Sequence, residues 1–223
     1  MKLYTVALIG GIIFLSCKKE TATIIVPPVA EAVYRTELRL QWTTPAFTIP
    51  AGAHFTVFVG AIHQKETAIW KPGTLASMGL ENIAEVGNNV RMYAELDSII
   101  LAGKALSRFG IAPPAIASGY DTIFRFTLQH SCISFASMIA PSPDWFVGLS
   151  QYNMLQDGQW LTERTVPLFL YDAGTEDGDI FGYNNPATIP QQPVKILTPA
   201  DATVLANGNT SFAQIGYVKF TKL

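Results

Sequence analysis

The feature that most constrains the fold is a two-residue alternation of apolar and polar side chains, repeated in short runs along most of the chain. Leu38, Leu40 and Trp42 alternate with Glu37, Arg39 and Gln41, and Phe124, Phe126 and Leu128 alternate with Arg125 and Thr127. Val90, Met92, Ala94 and Leu96 alternate in the same way with Arg91, Tyr93 and Glu95. Successive strand residues point to opposite faces, so each run predicts a strand with one face toward a core. Phe55–Ile62, Ile133–Ala140 and Val166–Tyr171 are more continuously apolar, as strands covered on both faces are. Ile215–Phe220 reads as a last strand. Turn signals such as Pro50-Ala51-Gly52, Gly87-Asn88-Asn89, Asp157-Gly158 and Asn207-Gly208-Asn209 separate the runs. Only Thr74–Glu85 and Ser98–Phe109 have helical character. The pattern predicts one all-β domain, an antiparallel β-sandwich or barrel with one or two short helices.

Composition narrows the function classes. Apolar residues make up 49% of the chain and charged ones 14%, enough for a large core and the reverse of a disordered chain. The formal net charge is −2 and the basic residues form no run beyond Lys18-Lys19, which argues against a nucleic-acid partner. No nucleophile elbow, P-loop, dinucleotide-binding glycine motif or His-Glu-x-x-His sequence is present.

The first residues predict export. Met1-Lys2 precede the apolar run Val6–Leu15, which is shorter than the about 20 residues a spanning helix needs but fits a secretory signal. The run ends at Ser16-Cys17, which resembles the lipobox of bacterial lipoproteins, with Phe14 where that motif prefers Leu. The expectation is a signal peptide over 1–16, a lipid on Cys17, a membrane tether over 17–34 and a folded domain over 35–223. With Cys17 acylated, Cys132 is the remaining thiol and no intrachain disulfide forms. Cys132 lies in an apolar stretch and reads as a small buried hydrophobe.

Two stretches carry a family resemblance. The first runs from Phe55 through Gly60-Ala61-Ile62-His63 to Trp70-Lys71-Pro72-Gly73 and then Ala84-Glu85-Val86-Gly87. The second pairs Pro141-Ser142-Pro143-Asp144-Trp145-Phe146-Val147-Gly148 with a downstream Asp172-Ala173-Gly174-Thr175 block. This order resembles the spondin N-terminal-type domain, a lipid- and matrix-associated module of exported proteins, over about Arg35 to Leu223. The resemblance implies a sandwich similar to calcium- and lipid-binding domains, with a metal site in loops at one end. Its metal ligands fall on Asp144, Asp172 and Glu176; the family usually has Asp at the third position, and Asp177 is the alternative.

The acids also make physical sense as a site. Asp144 and Asp172 stand at the ends of apolar runs, in loops rich in Pro and Gly. Carboxylates gathered there repel one another unless a cation lies between them. Calcium accepts six to eight oxygens in flexible geometry, whereas zinc prefers the His and Cys that are not clustered here. His54 and His63 are separated by nine positions, about 30 Å along a strand, too far to share an ion. His130 beside Cys132 is not read as a catalytic pair, because Cys132 belongs to an apolar run. Trp145 and Phe146 are expected in the core. The expected protein is an envelope lipoprotein at the outer membrane or cell surface, a calcium-dependent binding module for a glycan, lipid or extracellular protein and not an enzyme. The rival readings are a carboxylate-dependent glycan hydrolase and a passive structural lipoprotein.

Overall fold

The computed structural model describes residues 29–112 and 115–223. The expected signal peptide, Cys17 and the tether up to residue 28 lie outside the described residues. In chain order the elements are β1 (Glu31–Leu40), β2 (His54–Phe55), β3 (Phe58–His63), α1 (Met78–Val86), α2 (Val90–Leu101), β4 (Ala105–Ile111) and β5 (Gly119–Thr127). There follow β6 (Cys132–Ala140), β7 (Trp145–Asn153), β8 (Leu155–Gln156), β9 (Gln159–Trp160), β10 (Glu163–Asp172), β11 (Lys195–Ile196), α3 (Thr203–Ala206) and β12 (Gly216–Lys222). The first strand starts at Glu31, inside the stretch expected as tether, and buries Ala32 and Tyr34.

The main sheet is antiparallel in the order β4-β3-β6-β7-β10-β12-β1-β5, with β2 on β6 and β11 on β10. It curls until its two margins approach, so that its halves face each other as the layers of a sandwich. The expected all-β fold is therefore what the chain adopts. At the seam Phe109 of β4 lies 4.6 Å from Phe124 of β5, ring centre to ring centre. His130 closes one end of it, its Nε2 donating to the Gly103 carbonyl at 3.0 Å. Among the described residues β4 and β5 share no backbone ladder.

Two cores result. Between the layers lie Tyr34, Trp42, Phe55, Phe58, Phe126, Ile133, Trp145, Leu168 and Phe220. Outside β3, β6 and β7 a second core forms under the helices, joining Val59, Ala61, Trp70, Leu80, Ile83, Met92, Ala136 and Phe146. This second layer explains why β3 and β6 are buried at every position. The β6 run, Cys132 included, reads as expected.

Three sequence expectations are corrected. The alternation over Val90–Leu96 is helical, because Met92 and Leu96, four apart, are the residues that α2 buries, while Val90 is exposed. The run Ser98–Phe109 divides: helix to Leu101, a turn at Gly103, then β4. Val166–Tyr171 is not covered on both faces; Leu168 and Leu170 face the core, but Phe169 is exposed because the helices stop short of β10.

Helix α1 illustrates the local logic. The Ser77 hydroxyl accepts from Leu80 N at its start, and Gly87 closes it in the left-handed region (φ +65°). Gly87 has a second reason to lack a side chain: a Cβ there would stand 2.4 Å from Thr56 Cγ2.

Candidate metal centre

Asp144 and Asp172 are neighbours at one end of the sheet. Strand β10 pairs with β7 so that Asp172 faces Trp145, and Ala173 N donates to the Asp144 carbonyl at 3.2 Å. The motif residues around them each have a structural task. Trp145 and Phe146 are fully buried on opposite faces of β7, one in each core, as expected of core residues. Phe146 meets the Trp70 ring edge-on at 4.9 Å, and Trp70 lies so close to Gly148 that a Cβ there would stand 2.7 Å from its ring. Gly174 adopts φ +73°, and a Cβ there would come within 2.2 Å of the Gln192 carbonyl oxygen.

That glycine turns the chain back on the acids. Asp144 Oδ2 accepts from Thr175 N at 2.7 Å, from Glu176 N at 3.1 Å and from the Thr175 hydroxyl at 3.3 Å. Asp172 Oδ1 accepts from Gly174 N at 2.7 Å. Asp144 is 1% exposed, and its other oxygen, Oδ1, is buried without a hydrogen-bond partner among the described residues. Such an orphaned carboxylate oxygen is costly, and its environment shows it. Burial first, and then the charge of Asp172, push the Asp144 carboxyl up to about 6. Burial likewise raises Asp172, against the opposing hydrogen bond from Gly174 and the charge of Lys195. Glu176 is pushed up to about 7 by burial and by the charges of Glu85 and Asp144.

The third acid points elsewhere. Glu176 Oε2 accepts from Asn185 Nδ2 at 3.3 Å, and Asp177 Oδ1 accepts from the Thr188 hydroxyl at 2.6 Å. Asp172 Oδ2 lies 3.6 Å from Lys195 Nζ. Among the described residues no three His, Cys, Asp or Glu side chains converge closely enough to hold an ion as they lie. The donors are nevertheless of the kind a hard divalent cation takes: carboxylate oxygens, one without a partner, with the charge of Asp172 raising Asp144 and that of Asp144 raising Glu176. Beside them opens a cleft of about 410 Å³ lined by Asp172, Glu176, Asp177, Asp179, Lys195 and Asp201.

The histidines serve the fold. His63 is buried; its Nδ1 donates to the Gln64 carbonyl at 2.7 Å and its Nε2 pairs with Ser134 Oγ at 2.8 Å. Exposed His54 donates to the Gly52 carbonyl, and His130 pairs with Thr127 and Gly103. Sequence reasoning missed Lys195, Asp201 and Glu85 as neighbours of the centre. Glu85 stood in the quoted Ala-Glu-x-Gly motif and offered a signal; Lys195 and Asp201 offered none.

Comparisons with known proteins agree with this architecture. The Spondin_N family model matches residues 32–212. Human Spondin-2 is 34% identical over 168 residues, 73% of this chain and 49% of its own length. Rat Spondin-2 is 32% identical over the same extent, and chicken Spondin-1 is 30% identical over 154 residues, 66% of this chain and 19% of its own. The chain thus spans about half the length of the Spondin-2 relatives and a smaller share of Spondin-1. With most of its described residues matched by the family model, the chain belongs to the Spondin_N family.

Proposed function

We propose that this protein is an exported, lipid-anchored binding module whose loop end is organised by calcium. Asp144, Asp172 and Glu176 would hold the ion, with Asp177 the alternative to Glu176. The observation that carries the reading is the buried, unpartnered Oδ1 of Asp144 beside a second carboxylate whose charge raises its own. Calcium bound there supplies the positive charge that these carboxylates lack. The chain's own residues do the rest: Asp144 fixes Thr175 and Glu176 through their backbone, so the loop after β10 is tied to the turn between β6 and β7. A binding role fits better than hydrolysis. Paired acids in a glycosidase both reach the substrate, whereas Asp144 is closed off from the cleft that Asp172 lines. The ligand classes consistent with the family resemblance are a glycan, a lipid surface or an extracellular protein.

Calcium titration followed by calorimetry and by heat denaturation tests the site. At calcium one hundred times Kd the native state gains about 2.7 kcal/mol, and Asp144→Ala and Asp172→Ala lose the gain. A wild-type chain that shows neither binding heat nor a shifted midpoint overturns the calcium reading. For the anchor, Cys17→Ser is expected to release the protein from membranes; retention of the variant there overturns lipidation at this residue.

A further inference from the structure

The cleft beside the candidate centre holds one ammonium among its carboxylates. Asp172, Glu176, Asp177, Asp179 and Asp201 line it together with Lys195. The lysine is placed by backbone, not by the reach of a flexible side chain. Strand β11 pairs with the end of β10 so that Lys195 stands directly opposite Asp172, and such cross-strand neighbours have Cβ atoms about 4.5–5.5 Å apart.

Its two contacts are unequal. Lys195 Nζ donates to Asp201 Oδ1 at 2.7 Å but lies 3.6 Å from Asp172 Oδ2. The first is a charge-assisted hydrogen bond; the second is an ion pair without one. Asp201 is itself fixed, accepting from Thr198 N at 3.0 Å and from the Thr198 hydroxyl at 2.6 Å. Asp172 gives its Oδ1 to Gly174 N, which leaves Oδ2 as the oxygen facing the lysine. The lysine side chain is half exposed while Asp172 is mostly buried.

We propose that Lys195 is a built-in counter-ion of this centre, covering Asp172 Oδ2 in the metal-free protein and yielding that oxygen to a divalent cation while it stays on Asp201. The inference rests on the calcium reading above. An ammonium and a divalent ion on one carboxylate oxygen repel each other, so each weakens the other's hold. Asp201 makes the exchange easy, because Lys195 keeps its better partner when Asp172 is taken. Lys195 therefore lowers the affinity of the centre, and Asp201 raises it by drawing the lysine aside. Both are positioning residues that need not touch the ion.

The test is a calcium titration of the full chain, of Lys195→Gln, of Asp201→Asn and of the double variant, joined to heat denaturation in chelator. Couplings of this kind correspond to about 5- to 150-fold in affinity, and a half-exposed lysine belongs near the low end. Lys195→Gln is expected to tighten calcium binding about tenfold, and Asp201→Asn to weaken it by a similar factor. In the Lys195→Gln background Asp201→Asn should have no effect, because no lysine remains to be drawn aside. If the Asp201→Asn loss persists there undiminished, the charges act only through a general field and the counter-ion role is overturned. In chelator, Lys195→Gln and Asp172→Asn should shift the midpoint non-additively; strict additivity overturns the role whatever calcium does. Calcium bound equally by all four proteins sinks the counter-ion role alone. Non-additivity in chelator with no calcium heat from any protein sinks the calcium reading, and the exchange with it.

Discussion

Strands β3, β6 and β7 are covered on both faces, whereas β12, β1 and β5 present one face to water. In the covered half every residue of β3 and β6 is buried, and the outer face is sealed by α1, α2 and Trp70. In the open half the outer face carries ion pairs instead: Arg39 with Glu37 and Asp121, Arg125 with Glu31, and Lys219 with Glu163. One sheet therefore uses two means of support. The covered half relies on packed volume, where a lost group leaves a hole; the open half relies on its inner face, and its outer charges stay hydrated. The candidate metal centre sits at the end of the covered half, where β7 meets β10. Its carboxylates inherit the dry surroundings that the open half's acids escape.

Phe146 packs between Trp70 and Tyr171, with ring centres 4.9 and 5.4 Å away. Phe146→Ala is expected to cost about 3–5 kcal/mol in denaturant unfolding; a loss no larger than that of an open-face substitution would erase the distinction.

The folded-state value of Asp144, about 6, exceeds its ordinary 3.8, so the native state holds that proton more tightly than the unfolded chain does. Its contribution is fully present below 3.8 and is lost as pH rises through about 6. His63 runs the other way: burial lowers it from 6.5, so its contribution is present above 6.5 and is lost as pH falls through its folded value. The two overlap, and the difference between wild type and Asp144→Asn isolates the acid. In chelator, Asp144→Asn should gain about 2–3 kcal/mol over wild type between pH 4 and 7. A difference that does not grow with pH would show that Asp144 is not held in a dry site. The smallest effect belongs to the open half. Arg125→Gln removes the exposed pair with Glu31 and should leave the unfolding midpoint within error; a clear drop would show that the pair carries stability despite its exposure.

The same contrast governs what could be read in advance. Open-half strands were legible because Leu38, Leu40 and Trp42 alternate with Glu37, Arg39 and Gln41, the pattern of a strand with one face in the core. The covered strands were legible as continuous apolar runs. The helices that cover them were harder. Residues 90 to 96 satisfy a two-residue period and also the four-residue spacing of Met92 and Leu96, and tertiary packing chose the second. At the candidate centre, Asp144 and Asp172 were legible from motif and position. Lys195 and Asp201 were not, because a two-residue strand and the turn after it bring them in, and so short a pairing leaves no periodic trace.

The seam between β4 and β5 has a consequence for how the molecule breathes. Among the described residues the margins meet there through the Phe109–Phe124 contact and one imidazole, without a run of amide-to-carbonyl bonds. Separating these margins breaks no ladder among the described residues, so this opening costs the sheet no backbone bonds between strands. Amide hydrogens of the margin strands are therefore expected to trade with solvent before those of β6, which native-state hydrogen exchange checks.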